Sequence, residues 1–221
     1  MYGFFFKKLT LWLFLNKTTH NYLIMNNTFE ELKSEVLNCT KCQLSKTRTK
    51  VVFGEGNPDA EIFLIGEGPG RDEDLTGRPF VGRSGQLLDK ILAACNFTRK
   101  EHVFIGNIVK CRPPNNRAPL PEERSMCLPF LLQQIELVDP KIIILLGATA
   151  LNGLLDPTLR ISKVRGTWLE WHDRWVMPVF HPSALLRNPN LKRPTWEDFK
   201  QVFFKYRELV DPNHTSPHIS I

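Results

Sequence analysis

Four short apolar runs rich in β-branched residues, at positions 62–66, 103–109, 142–147 and 176–180, constrain this chain more than any other feature. Each is apolar at nearly every position rather than at alternate ones, the pattern of strands buried on both faces. Amphipathic stretches at 85–94, 121–138 and 148–155 separate them, and others flank the set at 28–37 and 195–209. Alternating strands and helices of these lengths predict crossover connections, and so an α/β fold with a parallel sheet covered by helices on both sides. Ligands of such sheets bind beyond the carboxyl ends of the strands, where the loops converge. There the chain carries Gly66-Glu67-Gly68-Pro69-Gly70 after the first run, Asn107 within the second, and His181-Pro182-Ser183 after the fourth. A hairpin is expected around His172-Asp173-Arg174, between Trp168 to Trp171 and Trp175.

With 221 residues, 42% of them hydrophobic, one core is affordable and a second large one is not. The expected domain spans 25–210. Residues 1–24 are read as an extension outside the fold, with Met25 a possible start, and 211–221 as a flexible, solvated tail. The apolar run at 9–15 is too short to cross a bilayer, so a transmembrane reading fails. The net charge of +6 falls to +3 without Lys7, Lys8 and Lys17, which makes charge a weak argument for a polyanionic partner. Five cysteines are too few and odd in number for a secreted disulfide scaffold, and a reducing, cytoplasmic setting is expected.

Four of those cysteines form a constellation: Cys39 and Cys42 as C-x-x-C after the first amphipathic stretch, then Cys111 and Cys127 flanking a proline-rich loop. Such thiolates suit a four-cysteine zinc site or a 4Fe-4S cluster, and four unconnected thiols are the plain alternative. The second pair is not the C-x-x-C knuckle of a zinc ribbon, which tilts the spacing toward the cluster. Cys95 reads as a small core hydrophobe.

These motifs, with Gly77-Arg78-Pro79-Phe80-Val81-Gly82, Asn107 through Cys111 to Pro114, and His181-Pro182-Ser183, resemble in kind and order the iron-sulfur group, often called family four, of the uracil-DNA glycosylase superfamily. The resemblance runs from Cys39 to about Arg187. It implies a three-layer α/β/α sandwich with a central four-stranded parallel sheet, a structural 4Fe-4S cluster on Cys39, Cys42, Cys111 and Cys127, and a pocket for a uracil extruded from DNA. The implied activity is hydrolysis of the bond between uracil and its sugar, the first step of base excision repair. A monomer acting on uracil-containing DNA, with no membrane partner, is expected.

That chemistry leaves positive charge on the sugar and negative charge on the departing base, so donors aimed at the base oxygens are needed. Glu67 is the candidate for positioning water or stabilising the cationic sugar; the plain alternative is a helix cap. The superfamily's best-known branch has an aspartate and a tyrosine where this chain has Gly68 and Gly70. That keeps Asp72, Glu73 and Asp74 open as water-holding carboxylates and leaves thymine exclusion unread. Gly66 and Gly68 are expected at the uracil site, and Gly68 and Gly70 let backbone amides approach the base, or else simply make a tight turn. Phe80 is expected to stack on the base rather than fill the core. Asn107 matches uracil's N3–H and one oxygen, a pairing cytosine does not offer, or else caps a turn. His181 is a donor to the other oxygen, charged or neutral, or else a packed histidine. Arg112, Arg117, Ser183, Leu185 and Arg187 are read as DNA contacts, with Lys110 as a further cation and Leu185 and Leu186 as an apolar wedge.

The competing reading is an iron-sulfur protein that binds uracil-DNA without efficient turnover, or a processing factor related to phage polymerase segments. A related group traps DNA through a histidine in a basic loop; the corresponding 161–166 region here has none. No lysine stands in the loops that begin at Gly66, Gly77 and His181, so no lyase step is expected.

Overall fold

The computed structural model describes residues 28–220, and the extension read at 1–24 lies outside them. The chain opens with α1 (Phe29–Leu37), started by a capping box in which Thr28 Oγ1 accepts from Glu31 N–H and the Glu31 carboxylate accepts from Thr28 N–H. There follow β1 (Glu55–Gly56), β2 (Ile62–Gly66), α2 (Arg71–Thr76), α3 (Arg83–Ala94), β3 (Val103–Asn107), α4 (Pro121–Val138), β4 (Ile142–Leu146), α5 (Ala148–Leu154) and α6 (Ile161–Val164). The hairpin of β5 (Leu169–Trp171) and β6 (Arg174–Val179), then α7 (Pro182–Arg187) and α8 (Lys192–Leu209), complete the order.

The mixed α/β architecture agrees with the reading of the sequence, but the sheet has six strands, in the order β1-β3-β2-β4-β6-β5. The neighbours β3, β2, β4 and β6 pair in parallel, and the short β1 and β5 add antiparallel edges. β1 escapes sequence reading because two residues carry no periodicity. The expected hairpin is present, its turn made by His172 and Asp173, both with positive φ (48° and 61°).

Alternate side chains of the buried strands feed two cores. Phe63 and Ile65 of β2 and Ile143 and Leu145 of β4 pack with Leu32 and Val36 of α1, Phe130 and Ile135 of α4, and Leu151 of α5. Ile62, Leu64, Ile142, Ile144 and Met177 turn the other way, toward Leu88 and Leu92 of α3 and Phe199, Val202 and Phe203 of α8. At about 25 cal/mol per Å² of apolar surface, burying both faces is what keeps a five-residue strand such as β2 in place.

The end of the chain departs from expectation. The polar residues after Asp211 fold back onto the second core: His214 is 6% exposed and Ile219 5%. The His214 ring stacks on Phe97 at 4.9 Å, and the Asn96 side chain and Ser216 hydroxyl donate to Thr215 O and Ala94 O. Composition marks these residues as solvated, yet aromatic stacking and satisfied backbone carbonyls hold them.

Candidate active site

The carboxyl ends of β2, β3, β4 and β6 open into one cleft, lined by Glu67, Gly68, Phe80, Asn107, Arg117, Thr149, His181, Ser183 and Arg187 among others. Gly66, expected to line the site, is not part of the lining but packs against two residues that are: a Cβ there would stand 2.4 Å from Asn107 Oδ1 and 2.6 Å from Phe80 Cζ, so glycine lets these walls converge. Asn107 is 2% exposed, and its Oδ1 is buried with no hydrogen-bond partner. An orphan acceptor at that depth costs about 1–3 kcal/mol unless something supplies a donor.

Phe80 is 6% exposed and adopts φ 53°, a left-handed backbone that a bulky residue rarely keeps. Two clamps hold it. Arg99 donates to the carbonyls of Pro79 and Phe80 at 2.8 and 2.6 Å, and the Glu73 carboxylate accepts from the N–H groups of Val81 and Gly82, both at 2.9 Å. Glu73 also accepts from Gly70 N–H at 3.1 Å, tying the glycine-rich loop to the phenylalanine loop. Its three backbone bonds make Glu73 a staple. Asp74 is likewise structural, 3% exposed and accepting from Thr49 N–H at 2.9 Å. Of the four carboxylates left open by sequence, Glu67, the exposed Asp72 and Glu73 line the cleft, and Glu73 is taken up by its backbone bonds. Glu67 has a partner that sequence reading missed: Thr149, at the start of α5, donates its hydroxyl to Glu67 Oε2. A threonine in an amphipathic stretch carries no signal of such a contact.

His181 caps α7, with Nδ1 accepting from Ser183 N–H at 3.1 Å and lying 2.8 Å from the Ser183 hydroxyl. Nδ1 is therefore a lone pair, and the proton of the neutral ring sits on Nε2. Burial, with the nearby Arg187 charge, pulls the imidazole down to about 4. The question left by the sequence is thus answered by packing: the ring is neutral at pH 7 and still a donor. Its centroid lies 5.7 Å from that of Phe80.

Several expected DNA contacts sit differently. Leu185 is 1% exposed, turned into the fold by α7, and Leu186 at 37% is the outward leucine. Arg117 reaches the cleft, but Glu123 takes its guanidinium in a two-pronged ion pair at 2.7 and 2.8 Å. Arg112 is outside the lining and binds Asn116 Oδ1 at 2.7 Å. Lys110 is buried to 1% under β3, where Nζ donates to Asn107 O at 2.9 Å and to Gln134 Oε1. Burial draws that ammonium down to about 8, against the pull of the neighbouring thiols. Ser183 and Arg187 stay at the cleft.

Cys39, Cys42, Cys111 and Cys127 line a second pocket behind the first. Arg48 donates to Cys111 Sγ at 3.2 Å and Lys110 N–H to Cys127 Sγ at 3.4 Å. Burial pushes the Cys111 thiol up to about 11 and raises Cys127 as well. Among the described residues no three His, Cys, Asp or Glu side chains are grouped closely enough to hold one metal ion. Cys95 lies apart in the second core, its thiol pushed up to about 12 by burial. Among the described residues no helix is long and apolar enough to cross a membrane.

The profile of the uracil DNA glycosylase superfamily matches residues 53–200. A type-4 uracil-DNA glycosylase of Thermotoga maritima is 51% identical over 177 residues, covering 78% of this chain and 92% of the relative. Type-4 enzymes of Sulfurisphaera tokodaii and Archaeoglobus fulgidus are 43% and 42% identical, covering 83% and 79% of this chain and 86% and 92% of the relatives.

Proposed function

The chain belongs to the uracil DNA glycosylase superfamily and is a uracil-DNA glycosylase acting on DNA, and from that premise we propose which residues carry the reaction and how. The uracil is taken out of the base stack into the cleft and held against the Phe80 ring. Asn107 Oδ1 accepts from uracil N3–H while its amide nitrogen donates to O4. The observation that carries this reading is the buried, unpartnered Oδ1: a site built around an acceptor that lacks a donor is completed by uracil and left unsatisfied by cytosine, which has no N3–H.

As the bond from N1 to C1′ lengthens, electrons move onto the base and charge gathers on O2. His181 donates from Nε2 to that oxygen, and because the ring is neutral it strengthens the bond as charge develops without a proton having to be removed first. Fixed donors of this kind contribute about 3–4 kcal/mol each in a dry site. Glu67 holds the water that attacks C1′ and faces the positive sugar; water's hydroxyl goes to C1′ and the base leaves with its electron pair to be protonated. Among the described residues that line the cleft there is no lysine to form a Schiff base, which supports a monofunctional reaction that stops at the abasic site. Arg187 and Ser183 at the rim contact the DNA backbone, and of the two leucines expected to form the wedge, the outward Leu186 takes that position while Leu185 is buried.

Cys39, Cys42, Cys111 and Cys127 hold a 4Fe-4S cluster. Four thiols lining one pocket form a donor set of the kind that holds an iron-sulfur cluster. When bound, the cluster supplies a structural cross-link between the loop after α1 and the segment following β3. The setting is a monomer in the cytoplasm.

The test is incubation of anaerobically purified protein with a labelled duplex holding one U opposite G, followed by alkali. Multiple-turnover cleavage at U, none at T opposite G, and none without alkali are expected. A tightly bound duplex with no abasic product would favour binding without turnover, and strand breaks without alkali would remove the monofunctional assignment.

A further inference from the structure

The turn from β4 into α5, Gly147-Ala148-Thr149, belongs to none of the motifs that identify the site, yet it lies between two of its working groups. On one side Gly147, at φ 92°, makes room for His181, whose Cβ is 2.9 Å from where a Cβ of residue 147 would stand. Gly147 N–H donates to Val179 O at 2.9 Å, which fixes the turn to the end of β6 just before His181. On the other side Thr149 Oγ1 donates to Glu67 Oε2, a contact between residues 82 apart in sequence. A threonine near a helix start commonly spends its hydroxyl on the local backbone. This one instead meets the carboxylate that follows the neighbouring strand β2.

We propose that Thr149 is a positioning residue for base excision, holding the Glu67 carboxylate in the orientation that presents its other oxygen to the attacking water. The inference rests on Glu67 as the water-holding group. A hydroxyl has one proton to donate, and giving it to Oε2 engages one acceptor site of that oxygen and restricts the glutamate's terminal torsion, which leaves Oε1 free to take the water. Because the same turn is packed against His181, the donor to the departing base and the holder of the water are referenced to one short backbone segment. That is the geometric requirement for attack on the face opposite the leaving group.

The experiment is a cycle of Thr149→Val, Thr149→Ser, Glu67→Gln and the Val/Gln double variant, read by single-turnover cleavage of U·G duplex, by affinity for that duplex and by thermal melting. Thr149→Val is expected to slow cleavage roughly 10- to 100-fold, the effect of one hydrogen bond to a charged group, while affinity changes by less than about twofold. Thr149→Ser, which keeps the hydroxyl, should return to within about threefold of the parent, and Thr149→Val should cost nothing further in the Glu67→Gln background. Full cleavage by Thr149→Val alongside a slow Glu67→Gln would overturn the inference and leave Glu67's role intact. Equal losses from Thr149→Val in both backgrounds would overturn it too. Full cleavage by Glu67→Gln would instead remove the premise. If valine lowers the melting temperature, Thr149→Ala, which deletes the hydroxyl without a second branch, is judged by the same cycle.

Discussion

Asn107 and Cys111 stand four residues apart on one stretch of chain and face two pockets of opposite construction. The base pocket is braced by bonds the protein makes to itself: Arg99 and Glu73 pin the Phe80 loop, Ser183 fixes the His181 ring, and Thr149 holds Glu67. Within it one acceptor, Asn107 Oδ1, is left open. The cysteine pocket has little of that bracing. Its sulfurs receive long contacts from Arg48 and Lys110, and burial disfavours the thiolate form at Cys111 and Cys127. On the proposed reading, one pocket is shaped before its ligand arrives and so selects among bases, and the other takes its rigidity from the cluster it binds. Lys110 joins them, its N–H on Cys127 Sγ and its ammonium on Asn107 O.

If the base pocket is preformed, blocking it should abolish turnover without disturbing the cysteines. Gly66→Ala places a methyl 2.4 Å from Asn107 Oδ1, and cleavage of U·G duplex is expected to fall by about 10³-fold or more, with the iron-to-protein ratio unchanged. Wild-type turnover by that variant would mean the base binds elsewhere.

The converse variant separates the pockets from the other side. Cys39→Ala should lose iron and brown absorbance and melt about 10 °C lower, since several kcal/mol of cross-linking disappear and each kcal/mol moves a domain of this size by about 2–4 °C. Assayed well below its melt, it should still cleave U·G duplex within a few-fold of the parent. A stable, colourless, fully active variant would remove the structural role, and a folded but inactive one would bring the cysteine pocket into the chemistry.

The smallest effect is one of pH. His181 is held near 4 in the folded protein, below the ordinary histidine value of 6.5. The unfolded chain therefore takes up the proton first, so this group's contribution to stability is complete above about 6.5 and is lost as pH falls toward 4. Ring NMR should show His181 neutral through pH 6, and its contribution to the rate should fade only as pH approaches 4. A His181 titration near 6.5 would mean the pocket is wetter than its packing implies.

The four parallel strands were legible because each is an unbroken apolar run, and the glycine-rich loop, Asn107 and His181 stood out because they follow those runs directly. β1 was not, since two residues have no period. The tail from Asp211 was misread because proline, asparagine and histidine look solvated until an aromatic surface such as Phe97 is brought against them. Leu185 and Leu186 are chemically identical neighbours, and only the rotation of α7 decides which is buried. Lys110 looked like a surface cation because nothing local reveals that Gln134, on α4, supplies an acceptor beneath β3.

By itself the sequence determined the order of strands and helices, the end of the sheet where chemistry gathers, the cysteines that share a pocket and the family to which the chain belongs, because each is written in local period, residue type or spacing. Tertiary structure alone decided that Glu73 and Asp74 are spent on backbone N–H groups, that His181 is neutral with its proton on Nε2, that Asn107 Oδ1 is buried and unpartnered, and that Thr149 meets Glu67. Those properties depend on desolvation and on contacts between segments far apart in the chain, and neither exists until the sheet has brought its strand ends together.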